Sequence, residues 1–248
     1  MNKVRSLIII PTYNEAQNVL ALIEILLEKV PHADILVVDD NSPDGTADLT
    51  LERFSGEKRL TMLRRTGLRG LGRSYVDGYQ QALEGGYAQV VQMDADFSHD
   101  PIYIPAMVAA SENADVVVGS RYCPGGGVCD WPRYREWLSR FANLYVRALL
   151  GLPVRDATSG FRCYSRHALE CISLGGIVSN GYAFQVEMTY RALQAHLRIV
   201  ETPILFRDRR KGQSKMSKRI IAEAITLPWR LRSALPPPPA LAGLHKQE

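Results

Sequence analysis

Short apolar runs punctuate the first half of the chain, and longer amphipathic stretches separate them. Leu7-Ile8-Ile9-Ile10, Ile35-Leu36-Val37-Val38, Leu60-Thr61-Met62-Leu63, Val90-Val91-Gln92-Met93 and Val116-Val117-Val118 read as buried strands. Residues 16–28, 46–54, 71–83 and 102–111 carry helical periodicity. Strands without polar alternation, separated by helices, predict an α/β fold with a mostly parallel sheet covered on both faces. Ligands of such sheets bind beyond the carboxyl ends of the strands, so the residues directly after each strand are where chemistry is expected.

The second half is less regular. Trp131 to Leu150 mixes aromatics and aliphatics with Arg133, Arg135, Arg140 and Arg147. It reads either as a surface helix with a packed stripe or as an interfacial helix whose aromatics sit at lipid level. Between Met216 and Leu231, the offsets of Met216, Ile220, Ala224, Leu227 and Leu231 trace one helical face. Lys215, Lys218, Arg219 and Arg230 fall largely on the opposite one, and Pro228 would kink the helix. That stripe either docks on the rest of the chain or lies on an anionic membrane; the sequence favours the membrane.

Charge sharpens this picture. The 248 residues hold 30 Lys plus Arg against 26 Asp plus Glu, a net of +4 that does not imply nucleic acid. From Arg207 to Ser233, however, nine cations face two acids, so the basicity is a C-terminal feature. With 46% hydrophobic and 23% charged residues, the composition argues against disorder or a disulfide scaffold. Four unevenly spaced cysteines point to a reducing compartment. No apolar run approaches the roughly 18 residues that cross a bilayer, and the run after Arg5 stops at Pro11, too soon for a signal-peptide core. The expectation is a cytoplasmic protein, peripheral on the cytosolic face of a membrane. Residues 1–215 would form the catalytic domain, 216–235 a membrane-proximal basic helix, and 236–248 a Pro-rich disordered tail.

Acids cluster at the strand ends. The first strand runs into Pro11-Thr12-Tyr13-Asn14-Glu15, the second into Asp39-Asp40-Asn41-Ser42, the fourth into Asp94-Ala95-Asp96. Asn41-Ser42-Pro43-Asp44-Gly45 is mainly turn chemistry. Two carboxylates two residues apart at one strand end are different: they offer hard oxygen ligands to a Mg²⁺ or Mn²⁺ shared with a substrate diphosphate. Gly67-Leu68-Arg69-Gly70-Leu71-Gly72 lacks the dinucleotide fingerprint and reads as a close turn into the next helix. Cys163, His167 and Cys171, four apart, would share a helix face as packing residues rather than a zinc shell.

Taken together, Pro11–Glu15, Val37–Ser42 and Asp94–Asp96 resemble the GT-A fold of inverting family 2 glycosyltransferases. Asp94-Ala95-Asp96-Phe97-Ser98-His99, Gly119–Tyr122, Thr158–Arg162 and Phe184–Met188 are similar to the dolichyl-phosphate (polyprenyl-phosphate) mannosyltransferase branch. The resemblance implies that Pro11, Tyr13 and Glu15 hold base and ribose, with Val38 and Asp40 completing that wall. It further implies that Asp94, Ala95 and Asp96 meet the diphosphate, both carboxylates through the metal, and that Arg121 reaches the sugar-phosphate side. Ser98 stands where many relatives have Gln. Arg209 and Lys215 match a basic loop that closes over the donor, and with Asp96 form the implied catalytic set. Arg135, Arg140 and Ser159 would face the acceptor phosphate, and Asp156 the sugar pocket.

The implied reaction moves mannose from GDP-mannose to dolichyl or another polyprenyl phosphate. An acceptor phosphate is already anionic, so the nucleophile needs no base, and Glu187 would position rather than deprotonate. The difficulty is electrostatic, which suits a divalent metal with Arg and Lys. Two alternatives stay open: a UDP-sugar donor on the same fold, and a silent regulatory or binding subunit. A separate membrane-anchoring subunit is a further possible partner.

Overall fold

The computed structural model describes residues 5–177, 179, 181–208 and 218–234. Its elements in order are β1 (Ser6–Thr12), α1 (Val19–Lys29), β2 (Ala33–Asp39), α2 (Thr46–Arg53), β3 (Leu60–Arg64), α3 (Leu71–Glu84) and β4 (Gln89–Gln92). After a short 3₁₀ turn come α4 (Ile104–Ala110), β5 (Val116–Ser120), β6 (Gly127–Val128), α5 (Arg133–Leu150), β7 (Arg162–Ser165), α6 (Arg166–Cys171), α7 (Tyr182–Gln194), β8 (Ile199–Pro203), β9 (Leu205–Phe206) and α8 (Lys218–Ala234). The five expected strands and four expected helices all form, but β3, expected to be buried, lies at the sheet edge with Thr61 and Arg64 exposed and the rest only half-buried.

Among the described residues, one sheet runs β3-β2-β1-β4-β7-β5-β8, with β6 and β9 in a separate parallel pair. Strands β1 to β4 are mutually parallel, as are β5 and β8. Strand β7 is antiparallel to both its neighbours, β4 and β5. Its sequence hides it. Arg162, at 0% exposure, is a charge in the middle of a sheet. Its guanidinium donates to the carbonyls of Ser159 (2.9 Å) and Ala157 (2.8 Å) and to the Thr189 hydroxyl (2.8 Å). A buried ion so fully hydrogen-bonded is tolerated where an unpaired one is not.

Apolar residues alternate between two cores. Ile8 and Ile10 of β1 face one side, with Leu22 and Leu26 of α1 and Met107 of α4. Leu7 and Ile9 face the other, with Tyr75 and Tyr79 of α3, Phe184 of α7, and Leu227 and Leu231 of α8. Gly78 lets α3 lie close on the sheet: a Cβ there would sit 2.8 Å from the Ile9 side chain.

Two expectations are corrected. Leu227 and Leu231, the described side chains of the C-terminal stripe, are buried against the domain, so that face docks inward instead of lying on a membrane. Apolar side chains on α8 are exposed elsewhere, at Ile225 and Trp229. Cys163 is not on a helix with His167 and Cys171; it belongs to β7, where burial pushes its thiol up to about 12. Residues 236–248 lie outside the described residues, as do 209–217.

Candidate active site

The carboxyl ends of β1, β2 and β4 open onto a cleft of about 420 Å³. Pro11, Tyr13, Glu15, Asp40, Asp94, Ala95 and Asp96 all line it, as the strand-end rule requires. Each strand leaves the sheet through a left-handed residue: Asn14 after β1, Asn41 after β2 and Phe97 after β4. Asn adopts that conformation readily, whereas Phe97, at φ 63°, stores strain of order 1–3 kcal/mol. Its tight turn brings the Ser98 amide 3.1 Å from an Asp96 carboxylate oxygen.

Asp94 is held from two sides. The Tyr75 hydroxyl of α3 donates to its carboxylate (3.1 Å), and its own amide donates to Nδ1 of His99 (3.1 Å). His99 is buried and stacked on Phe161, with 4.9 Å between ring centroids. Burial lowers its pKa, with Asp94 and Asp96 acting in the opposite direction. Accepting at Nδ1, the neutral ring carries its proton on Nε2.

The pair Asp94 and Asp96 fits a hard divalent cation. Among the described residues no third Asp, Glu, His or Cys joins them in a metal-binding group. A cation held here would complete its shell with substrate diphosphate and water, the usual arrangement for Mg²⁺.

Residues 7–173 match the family model for glycosyl transferase family 2. The chain belongs to that family. It is 45% identical, over 89% of its length and 91% of the relative's, to an undecaprenyl-phosphate mannosyltransferase of Micrococcus luteus. It is 43% identical, over 93% and 89%, to a polyprenol monophosphomannose synthase of Mycolicibacterium smegmatis. A solved glucosyl-3-phosphoglycerate synthase of Mycobacterium tuberculosis, in complex with Mn²⁺, UDP and phosphoglyceric acid, superposes with a TM-score of 0.68 at 16% identity, covering 96% of this chain and 81% of that one. The same enzyme has been solved with Mg²⁺ and UDP. At that identity the likeness shows the fold alone.

Several implied residues of this transferase sit differently from the resemblance. Val38 is fully buried in the α3-side core and does not line the cleft. Ser98 is likewise buried outside the lining, where its amide supports Asp96. Arg121 is committed inward: Nε and Nη2 donate to the two oxygens of Asp156 at 2.7 and 2.6 Å, and Nη2 also to Thr158 (2.7 Å). Asp156, fully buried, is therefore a partner for Arg121 instead of a wall of the sugar pocket. Burial raises the Asp156 pKa, but the Arg121 charge and hydrogen bonds more than offset this and hold it below the ordinary carboxylate value. Ser159 donates to the Gly119 carbonyl (2.6 Å) and accepts from the Phe161 amide, which leaves it a structural role. Arg135 pairs with Asp208 (2.9 Å) and stacks on Trp131; Arg140 pairs with Glu136 and stacks on Tyr122. Both remain partly exposed beside the Arg121 cluster. Arg209 and Lys215 fall outside the described residues.

Sequence reasoning missed the wall opposite. Arg69, Gly70, Leu71 and Ser74, from the glycine-rich turn and the start of α3, line the transferase cleft. Arg69 donates to the Tyr13 hydroxyl (2.6 Å) and stacks over its ring. The Gly70 amide donates to Asp40 (2.8 Å), whose carboxylate also pairs with buried Arg65. Asp40 thus fastens the turn to β2. Gly72 is required by close approach: a Cβ would stand 2.7 Å from the Ser179 carbonyl. Thr158, Gly160, Gly181 and Gln185 complete the far side. Glu187, buried beneath them, accepts from the Ser179 amide (3.0 Å) and from Arg191 (2.9 Å).

Proposed function

We propose that this transferase moves mannose from GDP-mannose to a polyprenyl phosphate, with inversion, at a membrane surface. One observation carries the reaction class: Asp94 and Asp96 stand at the end of a central strand, in a cleft whose other wall is Pro11, Tyr13 and Glu15. Mannose and the polyprenyl phosphate rest on the names of the two relatives, each more than 40% identical over most of both chains.

In this reading, Tyr13 and Arg69 present a stacked, cationic face to the base and ribose. Asp94 and Asp96 hold a Mg²⁺ or Mn²⁺, which when bound neutralises charge on the departing diphosphate. Tyr75 and the Ser98 amide fix the two carboxylates so that little reorganisation accompanies the reaction. Arg209 and Lys215 supply further positive charge, and Arg135 and Arg140 meet the acceptor phosphate. An acceptor phosphate oxygen forms the new bond to the anomeric carbon while the bond from that carbon to the GDP oxygen breaks, the electron pair leaving with GDP. No proton has to move, which agrees with a Glu187 engaged in structure. Gln185 Oε1 is buried in the wall with no hydrogen-bond partner among the described residues, and we assign it to a sugar hydroxyl.

The test is a donor panel, GDP-mannose, UDP-glucose and GDP-glucose, against a polyprenyl phosphate, with and without EDTA and with Asp96→Asn. GDP-mannose should be the donor used. The variant should keep its melting temperature and lose about two decades or more of turnover. Full activity in EDTA or in the variant would remove the metal assignment, and preference for a UDP-sugar would remove the donor.

A further inference from the structure

Helix α5 carries apolar side chains on both faces. Its inner face buries Val146 and Leu150 in the core and adds two polar anchors: Ser139 accepts from the Tyr122 hydroxyl (2.7 Å), and Asn143 donates to Thr158 (3.0 Å), a residue of the cleft wall. Its outer face is apolar. Tyr134, Trp137, Leu138, Phe141 and Leu144 follow helical spacing and are exposed, Tyr134 and Trp137 each at 74%. Helix α8 extends this ridge. The Tyr145 hydroxyl of α5 meets the Ile225 carbonyl and the Trp229 indole of α8 at 2.9 and 3.2 Å, and Ile225 and Trp229 are themselves exposed. Singly exposed apolar residues need no explanation, but seven large ones on two packed helices do.

We propose that this α5–α8 ridge is the surface on which the protein lies in the plane of a bilayer. The inference rests on the membrane-borne acceptor above and adds which face meets the lipid. The occupant follows from the composition of the ridge and its rim. Trp and Tyr, apolar with one polar atom, suit the boundary between acyl chains and water. The rim is cationic: Arg133, Arg140 and Arg147 on α5, Arg230 and Arg232 on α8, matching anionic headgroups. The acid on α5, Glu136, is paired with Arg140. No helix among the described residues is long and apolar enough to cross a membrane, so the ridge lies on the bilayer instead of spanning it. A lipid phosphate arriving at this face meets a helix whose other side touches the cleft wall. Its hydrocarbon chain then need not leave the bilayer.

The chain's three tryptophans make this directly measurable, because Trp137 and Trp229 lie on the ridge and Trp131 does not. Full-length protein would be mixed with vesicles of phosphatidylcholine containing about one third phosphatidylglycerol, with brominated chains as quencher. Quenching and co-flotation are expected, weakening in pure phosphatidylcholine. The double substitution Trp137→Glu with Phe141→Glu, checked for fold by circular dichroism, should reduce flotation by about tenfold or more. It should reduce turnover of a long polyprenyl phosphate in vesicles similarly, yet spare a short, water-soluble prenyl phosphate. Unchanged flotation of the variant would overturn the proposal. So would a wild type that ignores vesicles but sediments as a dimer that the substitutions dissociate, which would make the ridge a contact between two copies. Normal vesicle binding with neither acceptor used would overturn the functional reading and leave the surface standing.

Discussion

Helices α3 and α5 both carry an apolar stripe, and the fold uses them in opposite ways. In α3, Tyr75, Tyr79 and Ala82 point into the core, with Tyr75 stacked on Phe184 at 5.8 Å and its hydroxyl on Asp94. In α5, Asn143, Val146 and Leu150 are buried, while five large apolar side chains face outward. Periodicity in a sequence announces that a helix has an apolar face; it does not say what covers that face. The answer comes from the opposite side. Where one side of a helix is already anchored in the fold, as Ser139, Asn143, Val146 and Leu150 anchor α5, large apolar side chains on its other side need another solvent.

The largest effect should come from breaking the polar anchor of α5. Thr158, which Asn143 grips, also bonds Arg121 and Asp156. Asp156→Asn would leave the buried Arg121 uncompensated and should cost about 3–5 kcal/mol in denaturant unfolding. The acid limb sharpens this. A carboxylate whose folded pKa is depressed contributes stability that is present above its unfolded value and lost as pH falls through the folded one. Wild-type stability should therefore fall more steeply than that of the variant on acidification below the ordinary Asp value. Parallel acid limbs would mean that Arg121 is held by other groups.

Smaller, and on the α3 side, is Tyr75→Phe. The ring stays in its stack, so stability should change by about 1 kcal/mol or less. Asp94 loses one donor, and turnover should fall by about tenfold, with partial recovery at high Mn²⁺. Unaltered kinetics would show that the inward face of α3 serves packing alone.

How much of this was legible beforehand depends on what each residue touches. Strands β1, β2, β4 and β5 could be read because strands buried on both faces are written as plain apolar runs, and β3, at the sheet edge and only partly buried, because its run is apolar enough to resemble them. The acids at their ends could be read because the strand-end rule says where to look. Strand β7 could not, since Arg162 there is satisfied by carbonyls of the turn just before it and by Thr189 of α7, contacts that no periodicity shows. The roles of Arg121 and Ser159 also escaped: a motif identifies residue types, while whether a guanidinium faces ligand or Asp156 is settled by tertiary contacts. Arg69 and Gly70 were visible as a turn, but nothing in the spacing reveals that Gly70 is tied to Asp40 and so borders the cleft.

The smallest predicted effect separates the two helices most sharply. Phe141→Ala removes a large side chain that is 66% exposed, so it should change unfolding free energy by no more than about 0.5 kcal/mol. The same truncation at a buried aromatic in α3, Tyr79→Ala, should cost about 3–5 kcal/mol, because it opens a cavity beside Tyr164. A small loss at Phe141 is what an outward face predicts whether or not lipid covers it, so the measurement is repeated with anionic vesicles. Ligands that bind only the folded state stabilise it by mass action. Vesicles should therefore raise the melting temperature of wild type more than that of Phe141→Ala, opening a gap that buffer alone does not show. A Phe141→Ala cost in buffer as large as that of Tyr79→Ala would place Phe141 in a packed interface of the free protein, and the contrast between the two helices would fail.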